Sequence, residues 1–126
     1  MSSVVPRLLI VEDDVDFAES LREFFVAKGF NITHSNDGMF AAGLIRNTKY
    51  SAIIIDIKLP GMKGVRLASV VRGSAINKDT PIFLMTGTPN VDDVKRAAQF
   101  NIVKLMIKPF KVNELYETVD NHLKSL

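Results

Sequence analysis

Four apolar runs in this chain end on side chains that can do chemistry. "LLIV" (8–11) leads into Glu12, Asp13 and Asp14, and "AIII" (52–55) into Asp56. "IFLM" (82–85) leads into Thr86, Gly87 and Thr88, and the mainly apolar "IVKLMI" (102–107) into Lys108 and Pro109. Two or three carboxylates with a neighbouring backbone carbonyl form a hard oxygen site suited to Mg²⁺. Without a cation, three such carboxylates repel one another and at least one pKa rises. A lysine adds one positive charge, while a hydroxyl and nearby backbone N–H groups can hold the oxygens of a phosphoryl group. Phosphoryl transfer needs this set: metal, cation, oriented donors and an oxygen nucleophile. Asp56 is the member of the set left to be the nucleophile.

Each residue alone has an ordinary reading. Acids ahead of a helix are commonly caps, Asp14 in particular. Thr86 can satisfy backbone groups in a turn, Lys108 can be a solvated lysine, and Asp56 can be a polar strand end before the "LPG" turn. The case for chemistry depends on whether the four ends meet.

The elements between them say that they do. "RLLIVE" (7–12) is a continuous apolar run, as in a strand covered on both faces. From Asp14 to Lys28, Phe17, Ala18, Leu21, Phe24 and Phe25 fall at helical spacing, and Gly29 stands in the stop position. "FNITH" (30–34) reads as a strand, and "SNDG" caps a helix from about Gly38 to Arg46. "YSAIIID" (50–56) is the clearest strand, followed by a helix carrying Val65, Leu67, Ala68 and Val71 that ends near Gly73. "PIFLMT" (81–86) and "IVKLMI" (102–107) are strands flanking a helix at 90–100, which has Asp92 and Asp93 in its first turn. Residues 111–126 form a closing amphipathic helix. Strand and helix alternate five times, which predicts an α/β doubly wound parallel sheet with helices on both faces. In such a sheet the carboxyl ends share one edge, where ligands sit. The "LPG" turn is expected to leave the backbone of Ile57 and Lys58 facing that edge.

Composition narrows the alternatives. The 126 residues are 47% apolar and 24% charged, which suits one globular domain. A net charge of +2 argues for neither nucleic-acid nor membrane binding. The absence of cysteine removes disulfides and thiolate metal sites. "MSSVVPRLLIVEDD" is too short in apolar residues, and too acidic at its end, for a secretory leader. No run reaches the roughly 20 apolar residues of a membrane span. The expectation is a cytoplasmic domain.

In "LLIVEDD", "IIIDIKLPGMKG", "LMTGT" and "IKPF", in that order and spacing, the chain resembles the receiver domain of two-component response regulators from end to end. The resemblance implies a single receiver domain over residues 1–126. Its expected fold is a five-stranded flavodoxin-like sheet of order 2-1-3-4-5, close to the single-domain chemotaxis regulators. It implies that Asp56 accepts a phosphoryl group from a phosphohistidine of a sensor histidine kinase or histidine phosphotransfer protein. It assigns Mg²⁺ to Asp13 and Asp56, to Glu12 through water, and to the backbone carbonyl of Lys58. Asp14 then falls outside the acidic pair. Thr86 matches the switch hydroxyl, Lys108 the lysine that pairs with a phosphoryl oxygen, and the Lys108–Pro109 bond is expected cis. Gly87 follows the switch hydroxyl, and Lys58 and Thr88 flank the approach, where they are expected to set the rate at which water removes the phosphoryl group.

The departures from the family pattern gather at the output end. Leu105 stands where a tyrosine or phenylalanine is usual, Val103 and Lys104 where many members have an acidic pair, and Ile107 where threonine is common. The implied state is a monomer or a weak dimer through the fourth helix, fifth strand and fifth helix, acting on an unnamed downstream protein. A rival reading is a receiver-like interaction module that works without phosphorylation. Another is a small Mg²⁺-dependent phosphatase, but Ile57 and Lys58 follow Asp56 where such enzymes place a second acid. Nucleotide binding lacks a glycine-rich fingerprint after the first strand.

Overall fold

A computed structural model describes residues 4–126, so the first three residues of the segment weighed above as a leader lie outside it. The elements alternate without exception: β1 (Arg7–Val11), α1 (Val15–Ala27), β2 (Asn31–Ser35), α2 (Gly38–Asn47), β3 (Ala52–Asp56), α3 (Gly64–Gly73), β4 (Ile82–Thr86), α4 (Val91–Ala98), β5 (Lys104–Ile107) and α5 (Val112–Lys124). All strand pairs are parallel, in the order β2-β1-β3-β4-β5. This is the doubly wound, flavodoxin-like sheet anticipated from the alternation and the resemblance.

Burial explains which runs are unbroken. Every residue of β3 and β4 is buried, because helices cover both faces of a central strand. The edge strands β2 and β5 are only partly covered. Successive side chains point to opposite faces, so Leu9, Val11, Ile53, Ile55, Ile82 and Leu84 enter one core with residues of α2, α3 and α4. Leu8, Ile10, Ile54, Phe83 and Met85 enter the other with residues of α1 and α5.

Local chemistry sets the helix ends. Asp14, Asp37 and Asn90 cap α1, α2 and α4, each accepting a backbone N–H three residues on. At the end of α1, Gly29 takes φ +93°. The Gly29 N–H then donates to the Val26 carbonyl at 3.0 Å and the Phe30 N–H to the Phe25 carbonyl at 3.1 Å. The Phe25 and Phe30 rings meet edge to face, completing the hydrophobic contact of that stop motif. Among the described residues, no helix is long and apolar enough to cross a membrane.

Candidate functional site

The register brings the four strand ends together. Val11 lies beside Ile55, Asp56 beside Met85 and Thr86 beside Ile107. Two of the ends then converge tightly: carboxylate oxygens of Glu12 and Asp13, after β1, and of Asp56, at the end of β3, all lie within 4.8 Å of one another. Glu12 and Asp56 are buried, at 1% and 6% exposure, whereas Asp13 is exposed at the mouth.

Lys108 closes the cluster from β5. Its Nζ donates to Glu12 Oε1 at 2.6 Å and to Asp56 Oδ2 at 2.9 Å. The other oxygens are held by backbone. The Asp14 N–H donates to Glu12 Oε2 at 3.2 Å and the Lys58 N–H to Asp56 Oδ1 at 3.1 Å. Asp14 itself is the α1 cap and contributes only that backbone group, so the alternative left open for it resolves as capping. Asp56 is thus engaged at both oxygens, by the Lys58 backbone and by Lys108.

Burial pushes the Glu12 carboxyl up to about 7, with the Lys108 bond pulling it down and neighbouring Asp56 adding to the rise. Burial works against the Lys108 ammonium, but the bonds to Glu12 and Asp56 outweigh it and raise its pKa above the ordinary lysine value. The pair expresses one condition: negative charge in excess of the single lysine, held out of water.

One expectation needs correction. Ile57 does not turn its backbone to the site. Its N–H donates to the Met85 carbonyl at 2.8 Å and its carbonyl accepts the Gly64 N–H at 2.8 Å, because the β3–β4 ladder runs one residue past Asp56. Lys58 alone offers backbone there, and its carbonyl accepts no hydrogen bond among the described residues. Thr86, 1% exposed, reaches the same edge without bonding to the carboxylates, since its Oγ1 accepts the Thr88 N–H at 3.2 Å. Gly87 and Thr88 continue that turn in the open. The Lys108–Pro109 bond is cis. Leu105, half-buried, packs against the core on the α4 side.

The structure adds residues that the sequence did not single out. The Phe17 ring lies under the Lys108 ammonium, 4.9 Å from ring centre to Nζ, and meets Phe110 edge to face. In the sequence Phe17 is one more member of a helix stripe. Gly64 sits so close beneath the site that a Cβ there would overlap the Asp56 carbonyl oxygen and come within 2.7 Å of the Ile57 Cα. His34 Nε2 lies 2.7 Å from the Glu12 carbonyl oxygen. No local pattern announces these three, because each acts across a gap in sequence.

A parallel five-stranded sheet thus carries an acid cluster and a bridging lysine at its carboxyl edge. Residues 8–120 match the response regulator receiver domain family, and the chain belongs to that family. It is thus a receiver domain of two-component signalling, a family that works with histidine kinases or phosphotransfer proteins and with downstream targets. Its similarity to the transcription factor Skn7 of Candida albicans is 33% identity over 93% of this chain and 21% of that protein. The chain spans about half, or less, of the length of the curated relatives it matches. A CheY-like receiver domain protein of Methanospirillum hungatei superposes with TM-score 0.92 at 20% identity, covering 97% of this chain and 96% of that one. The receiver domain of a sensor histidine kinase of Pseudomonas aeruginosa, solved with magnesium in its active-site cleft, gives TM-score 0.86 at 23% identity, covering 96% and 99%.

Proposed function

We propose that Asp56 is the phosphoacceptor, receiving its phosphoryl group from a phosphohistidine on a sensor kinase or phosphotransfer protein. The observation that carries this reading is the cluster itself: three carboxylates within 4.8 Å, two of them bridged by Lys108. The donor set also fits Mg²⁺, which takes few carboxylates and keeps water. Asp13 and Asp56 would hold it directly, Glu12 through water, and the Lys58 carbonyl would complete the protein ligands. When bound, the ion offsets the charge of the carboxylates and of the incoming phosphoryl oxygens.

The residues of the chain do the rest. The Lys58 N–H fixes the Asp56 carboxylate by its Oδ1. A carboxylate oxygen bonds to phosphorus as the phosphorus–nitrogen bond of the donor breaks, its electron pair passing to the imidazole. Lys108 leaves Asp56 for a phosphoryl oxygen, and the edge of Phe110 keeps Phe17 beneath it as it moves. The Thr86 hydroxyl exchanges its bond from the Thr88 N–H for one to the phosphoryl group, which biases the β4–α4 turn. Exposed Lys58 and Thr88 govern the approach of water to the acyl phosphate. In this way the chain assists its own phosphorylation and dephosphorylation. Output runs through α4, β5 and α5, where Val91, Val94 and Ile107 are exposed at 67%, 44% and 54%, toward a protein target, with the domain a monomer or weak dimer.

The test is incubation with Mg²⁺ and acetyl phosphate. The expected product is an alkali-labile phosphoprotein that Asp56→Asn does not form; label persisting in that variant removes Asp56 from the role. A receiver-like module working without phosphorylation would show no Mg²⁺-dependent NMR shifts near Asp13 and Asp56.

A further inference from the structure

A second concave site lies away from the acid cluster. It is a groove of about 740 Å³ between the β3–α3 loop, α3 and α4, and none of Glu12, Asp13, Asp56 or Lys108 lines it. Its floor is apolar: Ile57 and Val65 are buried, Met62 and Phe100 half-buried, and Met39 is 63% exposed at one end. Unbranched methionines suit a surface that must mould to an incoming side chain.

The rim is basic. Lys63, Arg66 and Arg96 line the groove, all three are exposed, and none makes an ion pair or side-chain hydrogen bond among the described residues. Asp93 is the one acid lining it, and Asn90 Nδ2 already donates to its Oδ2 at 2.8 Å. Asp92 joins Asp93 in a separate hollow that Lys63 and Arg96 also line, in the first turn of α4, where the helix N-terminus favours acids. Three cations without partners around an apolar floor repel one another and attract a ligand that is apolar on one side and acidic on the other.

We propose that this groove docks an acidic amphipathic helix from a partner protein. Its apolar side chains would seat on Met39, Met62 and Phe100, and its carboxylates would face Lys63, Arg66 and Arg96. A groove running between two helices is the shape that receives a third. The proposal does not depend on which residue accepts a phosphoryl group.

Selection of a phage-displayed library of random 12-residue peptides on the whole chain tests it. The expected consensus has Asp or Glu flanking apolar residues at helical spacing, and its synthetic form shifts NMR signals of residues 57–66 and 93–100. Affinity should fall at least about tenfold in Arg66→Glu/Arg96→Glu and hold in Lys104→Glu/Lys111→Glu, with circular dichroism confirming that both variants fold. Uncharged or basic winners, no enrichment, or binding that survives the Arg66 and Arg96 reversal overturns the proposal.

Discussion

The edge of the sheet formed by β1 and β3 and the flank formed by α4 and β5 both carry residues of the receiver pattern, but they are held with unequal tightness. At the first, Glu12 and Asp56 are buried and each of their four carboxylate oxygens accepts a hydrogen bond. At the second, α4 buries only Ala97, and β5 buries only Met106. That flank is held by the pairing of β5 with β4 and, beyond α4, by Arg72, which donates to the carbonyls of Phe100 at 2.7 Å and Thr80 at 2.7 Å. The difference follows from the tasks. On the proposed function, a reacting carboxylate has to stay where it is aimed, whereas a surface that reports a switch must come from the less stable parts of the fold.

The sharpest way to break this contrast is at Lys108. Lys108→Met removes the cation shared by Glu12 and Asp56, and phosphorylation by acetyl phosphate should slow about 10²-fold. A rate within about threefold of the parent would show that the tight edge does not depend on its lysine. Gly64→Ala attacks the same edge from below. The added methyl meets the Asp56 carbonyl, backbone that cannot swing away, so urea unfolding should show a loss of about 1–3 kcal/mol. An unchanged midpoint would mean that the β3–α3 loop yields freely.

The third prediction concerns pH. Glu12 is raised to about 7 in the folded chain from 4.5, so its contribution to stability is complete below pH 4.5 and is lost as pH rises through about 7. Metal-free protein should weaken on this account across that window. The raised Lys108 acts in the same sense but only at alkaline pH. A cation needs Glu12 ionised, so magnesium at about 100 times its Kd should add about 2.7 kcal/mol at pH 8 and much less at pH 5. Thermal unfolding with and without magnesium measures this, and Glu12→Gln should flatten the trend; equal gains at both pH values contradict it.

The smallest effect belongs to the loose flank. Leu105 is half-buried on an edge strand, so Leu105→Tyr should change stability by less than about 1 kcal/mol and leave the phosphorylation rate unaltered. A large loss in urea unfolding would show this flank to be as rigid as the other.

Much of this was legible in the chain. Alternating apolar runs and caps fixed ten elements in order, because a strand covered on both faces must be apolar throughout and a helix stripe must repeat every three to four residues. Glu12, Asp13, Asp56, Thr86 and Lys108 were readable as strand ends, and parallel strands put such ends on one edge. What could not be read was which atoms meet. That Ile57 spends its backbone on the ladder while Lys58 faces Asp56 depends on where pairing stops. That Phe17 lies under Lys108, that Gly64 presses on Asp56, and that Lys63, Arg66 and Arg96 ring one groove depends on how α1, α3 and α4 are laid against the sheet. Periodicity is a property of neighbours along the chain, and so the sequence determined the elements and the edge. The contacts join residues distant in sequence, and only the packing of helices on the sheet decided them.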